Sequence, residues 1–118
     1  MPNLAPLVDV SALEDALRKF AVERNWQAYH SPKNLAMALT AELGELVELF
    51  QWLTEDQSRE VSRDSKTARA VRDELADVLI YLVQLSTALG VDLNEAVTQK
   101  ITANAKKYPA GDSRPKRA

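Results

Sequence analysis

The chain has 118 residues, of which 46% are hydrophobic and 27% are charged, and its formal net charge is −2. This composition is typical of one folded domain and excludes both a disordered chain and a strongly basic binder of nucleic-acid polymers. The absence of cysteine excludes disulfides, thiolate metal sites and a cysteine nucleophile. The sequence has neither a signal-peptide pattern nor an apolar run of about 20 residues, so we expect no membrane association and a cytoplasmic location.

Local signals predict helices along most of the chain. Only 3 glycines and 5 prolines occur, which favours long helices over strands. Ser11 and Glu14 have the spacing of a capping box, Ser31 precedes a proline at a first helical position, and Gly90 is a left-handed stop signal. In chain order we expect a flexible arm over 1–10, helices over 11–27, 32–53, 67–89 and 92–108, a polar connection over 54–66, and a disordered tail over 110–118.

Four helices with short connections predict an all-α, four-helix bundle-like domain over residues 11–109. The second helix carries one leucine stripe, but apolar residues such as Leu75, Leu79 and Leu82 cover more than half of the third helix. A helix that is apolar on so many sides cannot be covered within a small monomer. We therefore expect a homodimer or a homotetramer built as a dimer of dimers.

Two acidic pairs border these apolar stripes, Glu42 with Glu45 and Glu74 with Asp77. The i, i+3 spacing directs both carboxylates of a pair to the same side of the helix. A carboxylate facing a core requires compensation, and neither apolar face carries a lysine or an arginine. Oxygen ligands with a single histidine and no cysteine favour Mg²⁺ or Mn²⁺ over zinc. The alternative is an ordinary solvated acidic face, because such pairs are common on helix surfaces.

The short sequence motifs around these pairs resemble those of a known family. Glu42–Glu45 (ELGE) and Glu74–Asp77 (ELAD) are similar to the Glu-x-x-Glu and Glu-x-x-Asp signature of the MazG-like, all-α nucleoside triphosphate pyrophosphohydrolases. The segments that are similar to the dCTP pyrophosphatase branch are 34–35 (NL), 42–52 (ELGELVELFQW), 77–83 (DVLIYLV) and 104–109 (NAKKYP). Two positions of this sequence differ from the pattern of the family. Ala41 stands where many members have a glutamate, and Leu17 stands where some members of the branch have a histidine, which bears on base selectivity.

The resemblance implies that Glu42, Glu45, Glu74 and Asp77 hold Mg²⁺, with Mn²⁺ as the alternative ion. It also implies hydrolysis of a nucleoside triphosphate, with dCTP or a modified dCTP expected, to the monophosphate and pyrophosphate, as in nucleotide pool sanitation. The alternative substrates are dUTP and other non-standard nucleotides. Among the carboxylates we expect Glu45 to accept the proton of the attacking water.

Further residues are candidates for contacts with the base, the sugar or the phosphates. Aromatic rings stack on bases, amides present both a donor and an acceptor, and lysines bind phosphates. The candidates are Trp26, Lys33, Asn34, Trp52, Tyr81, Asn104, Lys107 and Tyr108. Each has a plain alternative, which is core packing for the aromatic rings and solvation for the polar groups. We expect His30 to be a loop or capping residue and not a catalyst.

A different class of function also fits the sequence. The chain could be a helical oligomerisation or partner-binding module without enzymatic activity, whose glutamates form a solvated face. Nucleotide hydrolysis that requires added Mg²⁺ distinguishes the enzyme from this module.

Overall fold

The computed structural model describes residues 5–111, and this part of the chain is helical with no strand, which confirms the all-α prediction. Residues 1–4 of the predicted arm and 112–118 of the predicted tail lie outside the described residues. The helices are α1 (Ser11–Glu23), α2 (Pro32–Glu48), α3 (Glu55–Arg59), α4 (Ser65–Leu89) and α5 (Leu93–Lys107), with 3-10 turns over Gln27–Tyr29 and Val61–Arg63.

The start of α2 and the end of α4 follow the sequence signals. The Ser31 hydroxyl oxygen accepts a hydrogen bond from the Asn34 backbone N–H at 3.2 Å, and Pro32 occupies the first turn. Gly90 ends α4 in the left-handed conformation, with a φ of 66°. Both predictions are therefore confirmed, and they fix where these two helices begin and end.

The capping box predicted at the start of α1 is wrong. Val10 is the N-cap residue of α1, and no side chain caps this end. The Ser11 hydroxyl instead donates to the Asp9 carboxylate at 2.6 Å, and the Ser11 backbone N–H donates to the same oxygen at 3.1 Å. Since the hydroxyl is engaged outside the helix, it does not serve the backbone of the first turn.

Two helices end earlier than predicted. Asn25 has a φ of 55° and follows the end of α1, while Trp26 N–H donates to Ala21 O at 2.9 Å, which is the pattern of a Schellman stop. Residues 49–53, predicted as the end of the second helix, form turns. Thr54 and Gln57 then make a reciprocal capping box that starts α3, so the polar connection contains a short helix.

The main packing contact joins α2 to α4, and α1 also packs against α4. The two long helices run antiparallel: Glu42 meets Glu74, while Leu35, earlier on α2, faces a cavity together with Tyr81, later on α4. Leu35 of α2 and Val83 of α4 are both buried. The side chains that position the acidic pairs are thus held by two rigid helices.

Helix α5 leaves this packed unit. It turns by 100° relative to α4. The first turn of α5 is tied to the N-terminal arm, because Asn94 Oδ1 accepts hydrogen bonds from Leu7 N at 2.7 Å and Val8 N at 3.1 Å. Among residues 5–111, one chain alone therefore does not close a four-helix bundle. No single helix in this range is long and apolar enough to cross a membrane; only α4 and α5 taken together meet that length and composition.

Much of the apolar surface is left uncovered in a single chain. Leu75, Leu79 and Leu82 of α4 are 53%, 48% and 40% exposed. The Cα radius of gyration is 17.5 Å, whereas a compact domain of this length has about 13 Å. The isolated chain is therefore more open than a self-sufficient domain.

Candidate functional site

Three acidic side chains converge where α2 crosses α4. Glu42 and Glu45 come from successive turns of α2, and Glu74 comes from the facing turn of α4. One carboxylate oxygen from each of the three lies within 4.8 Å of the others. We call Glu42, Glu45 and Glu74 the carboxylate cluster.

The two members that face each other are partly shielded from water. Glu42 Oε2 and Glu74 Oε2 are buried, and no donor from residues 5–111 reaches either atom. Desolvation, the hydrogen bond to Glu42 and the charge of Glu45 raise the pKa of Glu74 to about 7. Desolvation also raises the pKa of Glu42, with the charges of Glu45 and Asp77 adding to it. The cluster therefore requires either a proton or a cation at neutral pH.

Asp77 lies one turn further along α4 than Glu74 and is outside the group whose oxygens meet within 4.8 Å. Its charge nevertheless acts on Glu42 and raises the pKa of that carboxyl group. Asp77 is therefore a neighbour of the carboxylate cluster rather than one of its three converging members.

The donor set fits a hard divalent cation. All three ligand atoms are carboxylate oxygens, and two buried oxygens lack a protein donor, which is the situation that a bound cation relieves. Oxygen ligands alone suit Mg²⁺ or Mn²⁺ better than softer metals. The residues present therefore fit a divalent metal site.

A cavity of about 350 Å³ begins one helical turn away from the carboxylate cluster. Ala38 stands four residues before Glu42 on α2, and Tyr81 stands four residues after Asp77 on α4. We call this the aromatic cavity, and its lining residues are Trp26, Tyr29, His30, Asn34, Leu35, Ala38 and Tyr81. The cavity offers aromatic surface next to acidic groups, which suits a ligand that has a flat ring and a charged end held through a bound cation.

Three of the substrate-side candidates from the sequence, Trp26, Asn34 and Tyr81, line the aromatic cavity. The ring of Trp26 meets Phe20 edge to face at 5.6 Å, and Trp26 is 44% exposed. Asn34 Nδ2 donates to the Tyr29 carbonyl at 3.1 Å, which holds the amide at the edge of the cavity. His30 lies in the loop before the cap of α2, as expected, and it also lines the cavity.

The other candidates stand apart from this cavity. Lys33 is exposed on the first turn of α2 and does not line the cavity, and Trp52 follows the end of α2 with 86% of its surface exposed. Asn104, Lys107 and Tyr108 belong to α5 and its C-terminal cap. From the rise of a helix and the 100° bend, the end of α5 lies on the order of 20 Å or more from Asp77 of the same chain.

Tyr29 and Gln84 are among the cavity residues that the sequence did not single out. Tyr29 lines the aromatic cavity, and Gln84 lines a second cavity beside it. A signal for Gln84 was available, because it is three residues after Tyr81 and seven after Asp77 and so shares their side of α4. Tyr29 lies in a short 3-10 turn, where no periodic pattern indicates the direction of a side chain.

The fold and the carboxylate cluster define an all-helical protein with an acidic site suited to a divalent cation. The chain belongs to the MazG-like family, whose family model matches residues 37–116. It is 45% identical over 105 residues to dCTP pyrophosphatase 1 of Mus musculus, covering 86% of this chain and 62% of that protein. For dCTP pyrophosphatase 1 of Homo sapiens the identity is 46% over 101 residues, covering 83% and 59%. The chain thus spans 62% and 59% of the length of these two curated relatives.

A crystal structure of a pyrophosphatase from Archaeoglobus fulgidus has the same fold. It superimposes with a TM-score of 0.79 at 39% sequence identity, and the match covers 92% of this chain and 99% of that chain. Both acidic pairs fall within the residues that match the family model. The family assigned from the sequence is therefore confirmed.

Proposed function

We propose that the chain is a Mg²⁺-dependent nucleoside triphosphate pyrophosphohydrolase that acts in the cytoplasm through its helical domain over residues 11–109. The proposed substrate is dCTP or a modified dCTP, and the products are the monophosphate and pyrophosphate. The observation that carries the proposal is the position of the aromatic cavity, one helical turn from the carboxylate cluster. Phosphate transfer requires charge neutralisation and an aligned water, and a base requires an aromatic surface. The names of the similar proteins support the same activity.

The residues proposed to hold Mg²⁺, or Mn²⁺ in its place, are Glu42, Glu45, Glu74 and Asp77. When bound, the ion would neutralise charge on the phosphates and on the carboxylates. Glu45 is the exposed member of the carboxylate cluster, and it is proposed to take the proton of the attacking water. The water oxygen bonds to the α-phosphorus, the bond from the α-phosphorus to the α–β bridging oxygen breaks, and pyrophosphate leaves with that oxygen.

The substrate-side roles follow from where the candidate residues lie. Trp26 and Tyr81 offer ring surfaces in the aromatic cavity for the sugar and the base, and Asn34 offers its amide at the edge. Trp52 is 86% exposed and stands ten residues after Glu42, on the far side of the carboxylate cluster from the aromatic cavity of its own chain. Its proposed contact with the base would therefore be made in the site of a second copy. Lys33 is an exposed cation on the first turn of α2, nine residues or about 13 Å of helix before Glu42, so it is proposed to contact the nucleoside end of the substrate rather than the phosphates.

We also propose that the active form is a dimer or a dimer of dimers. The half-exposed leucines on α4, including Leu75, Leu79 and Leu82, lie on a flank of α4 that the described part of the chain leaves uncovered. A second copy would cover this side and would supply the neighbour that α5 lacks in one chain.

Such an assembly bears on the residues of α5. Asn104, Lys107 and Tyr108 lie too far from the acidic residues of their own chain for a side chain to bridge the gap. They are therefore proposed to serve the site of a second copy, with Lys107 bound to the phosphates and Asn104 and Tyr108 beside the nucleotide.

A panel of nucleoside triphosphates tests the proposed activity. Purified protein would be incubated with each triphosphate, with and without Mg²⁺, and the products separated as pyrophosphate or orthophosphate. The proposal requires pyrophosphate and a monophosphate from dCTP, formed only with Mg²⁺. Release of orthophosphate with a diphosphate would instead identify a phosphatase, and no hydrolysis of any triphosphate would leave the oligomerisation module as the function. Glu48→Gln is the matched control, because Glu48 is an exposed glutamate on α2 outside the carboxylate cluster.

A further inference from the structure

A second cavity, of about 230 Å³, lies between α1 and α4 and adjoins the aromatic cavity. The two share a wall, since His30 and Leu35 line both of them. Leu17 and Ala21 of α1 contribute hydrocarbon to the second cavity, and Gln84 of α4 contributes a carboxamide. We call this the amide cavity. A mainly apolar chamber with few polar groups is the usual form of a pocket for a flat organic ring.

Gln84 has an unmet hydrogen-bonding atom in this setting. Gln84 Oε1 is buried, and no donor within residues 5–111 reaches it. Its polar neighbours on α4 are already satisfied, because the hydroxyls of Ser86 and Thr87 both donate to the Val83 carbonyl. Buried acceptors in folded proteins nearly always have a partner. The Gln84 side chain lines the amide cavity, so rotation about its last bond would turn the amide into the cavity, where a ligand would supply the missing partner.

The spacing along α4 connects Gln84 to the acidic site. Asp77, Tyr81 and Gln84 follow one another at i, i+4 and i+7, so they share one side of the helix. Seven residues of helix span about 10 Å, which is comparable to the reach from the α-phosphate to the far edge of the base in an extended nucleotide. A triphosphate at the carboxylate cluster would thus pass its sugar by Tyr81 and present its base to Gln84.

We propose that Gln84 is a specificity-determining residue that hydrogen-bonds the edge of the substrate base, an inference that rests on the proposed pyrophosphohydrolase activity. Gln84 Oε1 accepts from an exocyclic amino group, and the amide N–H₂ donates to the adjacent ring nitrogen. Cytosine presents this amino-then-acceptor order, whereas uracil presents a carbonyl and a ring N–H in the reverse order and would be bonded only by an amide turned over by 180°. Leu17 and Ala21 of α1 have side chains without hydrogen-bonding atoms, whereas Glu14, Arg18 and Gln27, which also line the cavity, are the other side chains there that are able to bond a base.

The test compares dCTP with dUTP in the full chain with Mg²⁺. Gln84→Met keeps the length of the side chain and removes both hydrogen bonds. It should raise KM for dCTP about 10-fold per hydrogen bond lost, leave kcat within about 3-fold, and bring the ratio of kcat/KM for the two substrates close to one. Thr87→Val is the matched control: Thr87 lines the same cavity, but its hydroxyl is bonded within α4, so the ratio should stay at the wild-type value.

The ratio of two kcat/KM values does not depend on the fraction of active enzyme, so a poorly folding variant still gives an answer. An unchanged dCTP preference in Gln84→Met would overturn the inference. So would a wild-type enzyme that hydrolyses triphosphates without preferring dCTP to dUTP, and in both cases the proposed function would stand. A wild-type chain that hydrolyses no triphosphate would remove the proposed function, and the inference with it.

Discussion

The carboxyl groups of Glu42 and Glu74 meet across the contact between α2 and α4, and each keeps one buried oxygen that no protein donor reaches within the described part of the chain. Such a contact is unfavourable when both groups are ionised, because like charges are brought together with little water between them. The two helices nevertheless hold the groups in place, because the contact between α2 and α4 is the most extensive one in the described part of the chain. Because helix packing holds two carboxylates together against their repulsion, binding of a proton or a cation at this site should stabilise the folded chain.

The first prediction concerns pH without metal. The pKa of Glu74 is raised to about 7, above the usual 4.5, so the folded chain binds more protons than the unfolded chain between these two values. Stability should therefore fall as pH rises from about 4.5 to about 7. Glu74→Gln should flatten this slope, and Asp73→Asn, which changes an exposed neighbour, should keep it. Melting temperatures in a chelator across this range would check the prediction, and an unchanged slope in Glu74→Gln would contradict it.

The second prediction concerns Mg²⁺ at neutral pH. A cation that binds only the folded chain raises the free energy of unfolding, by about 2.7 kcal/mol at one hundred times its dissociation constant. The melting temperature should rise with Mg²⁺, and Glu42→Gln or Asp77→Asn should blunt the rise. Glu48→Gln on the same helix is the control and should respond like the wild type. A full response in both site variants would mean that the ion binds elsewhere.

The third prediction is that two groups of variants fail differently in steady-state kinetics. Glu45→Gln should lower kcat by about 100- to 10,000-fold, the usual contribution of a general base, with little change in KM. Trp52→Ala should mainly raise KM, by roughly 5- to 150-fold, the value of one lost stacking contact. If Trp52→Ala leaves KM unaltered while Glu45→Gln abolishes turnover, the acidic site stands and the base is held without Trp52.

The fourth prediction concerns assembly. Light scattering at micromolar concentration should give a multiple of the 13.1 kDa chain mass, because association of chains would bury the exposed leucines of α4. Leu79→Glu should shift the protein towards smaller or unfolded species, since it places a charge on that surface. The exposed Thr40→Glu on α2 is a control that should leave the mass unchanged. A wild-type mass of one chain would refute the assembly.

The fifth prediction is complementation between two inactive variants. If Lys107 serves the site of a second chain, Glu74→Gln and Lys107→Ala should each be inactive alone. Chains co-expressed in equal amounts should recover about a quarter of wild-type activity, because half of the dimers are mixed and each has one intact site. No recovery in a confirmed mixed dimer would place Lys107 in the site of its own chain, or outside any site.

Sequence reasoning reached the carboxylate cluster because helical spacing is a local property. The i, i+3 pairs predict that Glu42 and Glu45 share a side, and the apolar neighbours indicate that this side faces another helix. The same reasoning could not separate Asp77 from the three converging groups, since its position depends on how deeply α4 packs against α2. It also overlooked Gln84, because one amide in an apolar run is usually satisfied by its surroundings.

The direction of α5 is the other feature that could not be predicted from the sequence. Gly90 signals the end of α4, and the structure confirms that stop. The 100° turn between α4 and α5 is accompanied by tertiary contacts, including the hydrogen bonds from Leu7 and Val8 to Asn94. Residues so far apart in the chain leave no periodic signal, so the four-helix arrangement read from the sequence could not reveal that α5 departs.

The hydrogen bonds between the N-terminal arm and Asn94 also indicate the order in which parts of the chain fold. Its two hydrogen bonds join residues 87 and 86 positions apart, so they close a loop that contains most of the chain. Such a loop loses too much conformational entropy to form early, before the helices between its ends are in place. The N-terminal segment should thus be among the last parts of the chain to become protected from hydrogen exchange during folding. Protection of the amide protons of Leu7 and Val8 would therefore mark the end of folding.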